Sequence, residues 1–532
     1  MDGCSIRASP ANSFWESASA LLSAASTGIC AKVNPSGRSR RSLIRDNARE
    51  AMLINAAGTE PNLECVMRQV YRFLLTNYIG TYTVRCIGAY AVGPPNKEKF
   101  MIIRNVTVID GQEAAPIADA EVVVTDGRFS AIRPAADARP ATGGTPVLDA
   151  RGGYLVPGLW ESHTHLSGHA YSKPEDERAK YISQLLTDFL SAGVTNVVNL
   201  GGPLEIELAA RDYRDKATDT AAGLFFAGPV FTGVEGWPVL DDPARAPIAY
   251  QTDNADVAYR QALELADQVD FIKCIYDGEP GAPDKLPLDA LKAIVAAAHE
   301  KGKKVLVHVH ERIDLEEAVA SGADGIEHAF QPQDPGSTAE ARDVAALLAE
   351  TNTYYCPTLV TWEQIAHNGE AGYLQQLVDD GFATHDDIPQ ITGRPIYGRQ
   401  FPRHSPQDSH IRFDYAMRTL ALMHDAGVKI TAGSDVAMLM PSPPVALLRE
   451  LQLLAKAGLP LPAVLAAGTR HSAEKIGQQA MTPGTITVGS VADALLLDAD
   501  PYVDIAHLVD RSHHIGTLRA GRPSWDEGHP RA

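Results

Sequence analysis

The sequence predicts an α/β protein in which a TIM-like (β/α)8 barrel is enclosed by a small β-sandwich domain built from both flanks, behind an N-terminal extension. Three observations predict it. Between residues 158 and 484, short apolar runs alternate with helical stretches, the pattern of repeated βα units. On either side, residues 101–157 and 485–522 read as short strands. Ionisable residues then fall at the ends of several expected barrel strands, where barrel enzymes build their active sites.

Residues 1–100 differ from the rest. They hold 12 Lys+Arg against 7 Asp+Glu and four of the six cysteines (Cys4, Cys30, Cys65, Cys86), while the whole chain carries a net charge of −19. The segment contains the Ser/Arg-rich patch Gly37–Arg41 and ends in the breaker cluster Gly93-Pro94-Pro95-Asn96. Two readings fit: a dispensable extension, with Met101 or a nearby site as the natural start, or a regulatory or oligomerising arm. Deletion of residues 1–100 separates them.

From Met101 the chain turns β-rich. Ile102–Gly111 and Ala120–Arg128 each contain a closing Asp-Gly turn signal, and Pro146–Asp149 adds a third run. Ala492–Asp498 and Ile515–Leu518 show the same character at the far end, which leaves residues 523–532 as a tail.

Eight barrel strands are expected: Leu155–Ser162, Val194–Leu200, Gly223–Val230, Phe271–Tyr276, Lys304–Val307, Gly325–Glu327, Tyr354–Val360 and Lys429–Ala432. Helical stretches lie between them at Ala179–Ala192, Leu288–Lys301, Glu316–Ala320 and Ala341–Glu350. The segment from Gly369 to Asp414, rich in Pro, Gly, Arg and Asp, is expected as a long irregular insert, a lid over the mouth.

Composition narrows the function. Net negative charge argues against general nucleic-acid binding, which needs Lys and Arg to neutralise phosphates. No run of 18 apolar residues predicts a membrane span, and Met1-Asp2-Gly3-Cys4 lacks the basic start of a secretory signal. Six cysteines in so long a chain make no disulfide framework, so a reducing, cytoplasmic setting is expected, with Cys274 and Cys356 as buried thiols.

The chemistry-bearing residues follow the strands. His163 and His165 follow the first, Lys273 lies in the fourth, His308 ends the fifth, His328 follows the sixth and Asp435 follows the eighth. A His-X-His pair on an extended strand presents both rings on one face, because side chains alternate. Neutral imidazoles and carboxylates are good ligands for Zn²⁺ and its neighbours. A metal so held brings the pKa of its water toward about 7, and a nearby carboxylate can then move the proton. By the same alternation His310 faces the mouth with His308 and is expected to contact substrate.

Pro157–His165, Gly325–His328, Thr431–Asp435 and Gly489–Ala494 together resemble the motifs of the amidohydrolase superfamily. Phe271-Ile272-Lys273 and the spacing of His308 from His328 resemble its imidazolonepropionase-like and metal-dependent prolidase-like branch. The resemblance implies that His163, His165 and Asp435 bind the more buried of one or two divalent metals. Zn²⁺ is expected, with Mn²⁺, Co²⁺ or Fe²⁺ as alternatives. It further implies that Lys273, carboxylated by CO₂, bridges to a second metal on His308 and His328, and that Asp435 shuttles the proton. An unmodified Lys273 would imply a mononuclear site. The likeness also implies a homo-oligomer.

Two positions depart from the pattern. Glu161 stands where the family usually has Asp, and His310 stands where some dipeptidase relatives carry a carboxylate-binding Tyr. His169 reads as a solvated loop residue, and His404, His410 and His424 show no convincing metal spacing. Phe231 and Trp237, in the loop Pro229–Asp242, read as an apolar pocket wall.

The expected reaction is hydrolysis of an amide or peptide-like C–N bond in a small molecule, an N-acyl amino acid, dipeptide or cyclic amide, by a metal-activated hydroxide. Ester, lactone or phosphotriester cleavage uses the same apparatus. An isomerase, deaminase or decarboxylase of the superfamily, and a non-catalytic scaffold, are the other classes.

Overall fold

In a computed structural model of the chain, the described residues are 100–524 apart from 142–144, 171–172, 217–220, 240–242, 279–283, 368–369, 389–405, 436–442 and 479–482. The chain divides into two compact units, Met1–Gly93 and Pro94–Ala532. The expectations for residues 1–99 therefore lie outside the described residues, as does the tail from 525 onward.

The strands run in order as β1 (Phe100–Val108), β2 (Ile117–Thr125), β3 (Arg128–Pro134), β4 (Val147–Pro157), β5 (Leu159–Thr164), β6 (Val194–Asn199), β7 (Gly223–Phe226), β8 (Val230–Thr232) and β9 (Ala249–Gln251). They continue as β10 (Ile272–Ile275), β11 (Val305–His308), β12 (Gly325–Glu327), β13 (Tyr354–Cys356), β14 (Ala494–Leu497), β15 (His514–Arg519) and β16 (Arg522–Pro523).

Both flanks meet in one seven-stranded sheet, in the order β16-β15-β14-β4-β1-β2-β3. The expected sandwich of two sheets is thus a single hydrogen-bonded sheet. Register breaks between β1 and β2 and between β1 and β4 interrupt its ladder, as bulges that bend a sheet do. Its inward residues, including Ile103, Val106, Val122, Val124, Phe129, Leu155, Leu496 and Leu518, form a core separate from that of the α/β body.

The α/β body carries two parallel sheets, β5-β6-β7 and β13-β12-β11-β10-β8-β9, with α-helices between most successive strands, β7, β8 and β9 excepted. Backbone bonds link them at two places, one beside β10 and one beside β13. Asp270 N donates to Phe226 O (3.1 Å) on one side. On the other, residues 429–432 bridge β13 to β5: Thr431 N donates to Tyr355 O (2.9 Å) and Ser162 N donates to Ala432 O (3.1 Å).

Several expected elements shift: the run Gly223–Val230 divides into β7 and β8, which lie in different sheets, and Lys429–Ala432 forms an isolated bridge from Ile430 to Tyr355 rather than a strand. The run Leu155–Ser162 divides at Gly158, so that β4 ends in the flank sheet and β5 begins the body. A Cβ at Gly158 would lie 2.3 Å from Thr195 Cγ2, so this crossing requires glycine. The seventh strand stops at Cys356 because the helix Leu359–His367 starts next, its first amides Leu359 N (3.1 Å) and Val360 N (2.7 Å) donating to the buried Glu450 carboxyl group. The insert expected as irregular is helical at both ends, in Ala371–Asp379 and Pro406–Asp425. Among the described residues no helix is long and apolar enough to cross a membrane. Cys274 and Cys356 are buried free thiols, as their apolar surroundings suggest.

Candidate metal centre

The strands deliver the predicted residues to one place. β5 runs out into His163 and His165, and the turn after residue 432 returns Asp435 between them. Asp435 Oδ1 lies 3.3 Å from His163 Nε2 and 3.2 Å from His165 Nε2, and its Oδ2 lies 3.8 Å from His328 Nδ1. The ring of His328 is 4.9 Å from that of His163 and 4.4 Å from that of His308, which is in turn 4.4 Å from His310. One donor atom each from His163, His165 and Asp435, and one each from Asp277, His308 and His310, form two adjacent groups able to hold an ion.

Local backbone is bent to achieve this. His328 (φ 79°) and Asp435 (φ 51°) both adopt left-handed conformations, which cost about 1–3 kcal/mol each for such residues and gather at functional sites. Gly433 is required by crowding: a Cβ there would meet His163 Cβ at 2.5 Å and Cys356 Sγ at 2.7 Å. Asp435 N donates to His163 O (2.7 Å), fixing the turn to the strand whose rings it faces.

Buried charge surrounds these groups. His163 Nδ1 lies 2.6 Å from Glu327 Oε2, so Nε2 is left facing Asp435. Glu327 is fully buried, and its other oxygen accepts from Lys475 Nζ (2.9 Å), which also donates to Ser162 O (3.1 Å). Burial opposes charge on Glu327, but Lys475, His163 and Lys273 together hold its carboxyl well below the usual range. Burial and the Lys273 ammonium act against a charged His163, yet Asp435 and Glu327 push it up to about 10. Two carboxylates on one imidazole mark a place that calls for positive charge. Burial, with the neighbouring His308 next in weight, keeps His328 neutral, and burial and then His310 do the same for His308.

Lys273, on β10, is 2% exposed, and burial pulls its amine down to about 8 against Glu327 and Asp435. Among the described residues, Lys273 Nζ and His163 Nε2 are buried atoms without a hydrogen-bond partner. Buried donors are rarely left so. A cation on the His163 side, and a carboxylated Lys273 side chain, would satisfy both, so the residues present fit a metal centre.

Apart from Trp237, expected as pocket wall, the further contributors were not legible as site residues. Asp277 holds His310 Nδ1 at 2.8 Å. Thr358 Oγ1 lies 2.9 Å from His328 Nδ1. Trp237, from the expected wall loop, stacks on His308 (5.5 Å, 17°), and Trp362 stands edge-on to His310 (5.8 Å) and His328 (6.2 Å). Arg412 lies over the Trp362 ring at 4.2 Å, only 2% exposed; its Nε donates to Gln331 Oε1 (3.0 Å), while its Nη1 has no hydrogen-bond partner. His404 lies outside the described residues, and the side chain of His169 is not among those described.

The site lies at the ends of the strands of an α/β body, and the sequence profile of the amidohydrolase family matches residues 154–523. The chain belongs to the amidohydrolase family. It is an enzyme of carbon–nitrogen bond hydrolysis, in a family that generally uses divalent metals. It is 25% identical to ochratoxinase of Aspergillus niger over 454 residues, 78% of this chain and 84% of that protein. An uncharacterized protein of Mycobacterium tuberculosis is 26% identical over 316 residues, 59% of this chain and 70% of that one. Among solved structures, a Xaa-Pro dipeptidase with bound methionine in the active site matches with TM-score 0.63 at 18% identity, over 80% of this chain and 100% of its own. The A. niger ochratoxinase structure matches equally, with TM-score 0.63 at 18% identity over 82% of this chain and 98% of its own.

Proposed function

We propose that this chain is a metal-dependent amidohydrolase of the prolidase-like branch that cleaves the amide of an N-acyl amino acid or dipeptide with a free carboxylate. The observation that carries the reading is Asp435, brought from a turn much later in the chain to within 3.3 Å of both His163 and His165 at the end of β5. The two backbone linkages between the parallel sheets support a closed (β/α)8 barrel over residues 158–484, with the flank sheet as a separate domain.

His163, His165 and Asp435 would hold one divalent ion, Zn²⁺ by preference, and His308, His328 and carboxylated Lys273 would complete a second position. Bound there, such ions would polarise the scissile carbonyl and acidify water. Asp435 takes the proton from the attacking water and returns it to the leaving nitrogen. His310, oriented by Asp277, binds the substrate beside the reacting carbonyl. The low pKa of Lys273 keeps part of its amine uncharged, the form that adds CO₂.

Arg412 favours the carboxylate-bearing substrates over cyclic amides. A buried guanidinium next to Trp362, with an unpaired N–H, is built to receive an anion. The test is a screen of the metal-loaded enzyme against N-acyl amino acids, dipeptides, their carboxyl-capped amides, cyclic amides and lactones, read by mass. Water addition to the free acids is expected, with kcat/KM at least about tenfold lower for the capped forms, since a hydrogen bond to a charged group is worth about 1.5–3 kcal/mol. Conversion without mass change, or indifference to capping, would overturn the reading.

A further inference from the structure

A second group of ligand atoms lies apart from the centre and shares no residue with it. The helix Leu359–His367 ends on His367, and the helix Pro406–Asp425 carries His410 beside it, ring centroids 4.6 Å apart and nearly perpendicular at 87°. Glu370, the residue that precedes the helix Ala371–Asp379, joins them. Its Oε2 lies 2.9 Å from His367 Nδ1, and its Oε1 lies 3.6 Å from His410 Nε2.

One nitrogen from each ring and one carboxylate oxygen all lie within 4.8 Å of one another. A tetrahedral ion with ligands at about 2.0–2.1 Å needs its donors about 3.3–3.4 Å apart. The Glu370 carboxylate lies 2.9 Å from one ring through Oε2 and 3.6 Å from the other through Oε1, so side-chain rotations that bring one oxygen to both rings are needed to reach that spacing. The His367 ring is steadied by Tyr373, which stacks on it at 5.3 Å, and by the edge of Phe413 at 6.2 Å. The side chains of His367, His410 and Glu370 are 28%, 35% and 53% exposed, which leaves the group open to an ion and to water as a fourth ligand.

We propose that His367, Glu370 and His410 form a second divalent-cation site, outside the catalytic centre, that takes zinc-like ions. Two imidazoles and one carboxylate suit Zn²⁺ and Co²⁺, whereas Mg²⁺ demands an oxygen-rich octahedral shell. The ion joins the end of the helix Leu359–His367 and the start of the helix Ala371–Asp379 to the helix Pro406–Asp425, further along the chain. One of them carries Trp362 and another carries Arg412, so occupancy stiffens the wall of the mouth without touching the reacting atoms.

The experiment is equilibrium dialysis of the full chain against micromolar Zn²⁺, paired with thermal unfolding. The wild-type chain is expected to bind one equivalent more than His410→Ala or Glu370→Gln, and Zn²⁺ is expected to raise its Tm by a few degrees more than theirs. Asp435→Asn should keep this extra equivalent, since it alters only the other centre. Equal stoichiometry and equal Tm shifts in wild type and variants would overturn the site. Stabilisation by Mg²⁺ as large as by Zn²⁺, lost equally in the variants, would overturn the ion class. Should His410→Ala fail to fold, Glu370→Gln, at a more exposed position, decides alone.

Discussion

Glu161 grips Ser434 twice: Ser434 N donates to its Oε1 at 3.0 Å, and Ser434 Oγ donates to its Oε2 at 2.6 Å. The same Oε1 also accepts from His163 N at 2.9 Å. One carboxyl therefore fixes a strand-end ligand and the residue just before Asp435 to each other. Burial pushes its carboxyl up to about 7, against these three hydrogen bonds. The longer Glu in place of the usual Asp still makes the connection.

Glu161→Ala should therefore disturb the centre through Asp435. It strands buried donors, at about 1–3 kcal/mol each. Activity or metal affinity should fall about 10–100-fold, the usual effect of removing a group that orients a ligand. Metal retention after dialysis together with kcat measures it. A variant with unchanged metal content and rate would remove Glu161 from this role.

Lys475→Met should be severe, because it strips the buried Glu327 carboxylate of its lysine partner and leaves one of its oxygens unbonded. Breaking such a pair costs about 3–5 kcal/mol. Chemical denaturation is the measurement. Lys475→Met combined with Glu327→Gln should recover much of the loss, and a double variant no better than the single would show that the pair is not the cause.

These two cases mark how far sequence reaches. His163, His165, His308, His328 and Asp435 were legible because strand alternation and chain order alone place them at strand ends. Glu161 was legible as a position and not as a connector, since its partner lies 273 residues away. Lys475 meets Glu327 across 148 residues and gave no local sign. Arg412 and Trp362 sit on helices outside the βα repeat, in or beside a segment whose composition suggested irregular chain. The single flank sheet was hidden for a related reason: strand periodicity reports which face is buried, not whether edges join.

Asp435→Asn should preserve the fold, because its backbone N–H to His163 O survives, while removing the proton-transfer carboxylate. A fall in kcat of about 10²–10⁴ is expected. Circular dichroism and steady-state rates check both halves. Turnover within threefold of wild type would exclude Asp435 as the proton carrier.

Glu450 gives a pH signature. Burial pushes its carboxyl up to about 8 despite the amides of Val360 and Leu359. The folded state thus holds a proton that the unfolded chain releases near its ordinary pKa of about 4.3. Its contribution to stability is complete below that value and is lost as pH rises toward 8. Glu450→Gln cannot ionise, so its Tm relative to wild type should climb steadily between pH 5 and 8. Any hydrogen bond lost to the amide shifts the whole curve without changing its slope. A flat difference across that range would show that Glu450 is ionised when folded.

Because β4 zips against β14, residues at the start of the described chain wait for residues near its end. On a ribosome adding about 5–20 residues per second, that interval lasts roughly 20–70 s. Throughout it, the edge of β4 stands open with Tyr154, Leu155 and Val156 unpaired on that side, a template for wrong partners. Newborn chains of this protein are therefore most vulnerable not at the catalytic centre but along this seam, and a truncated message would yield chains that can never close it.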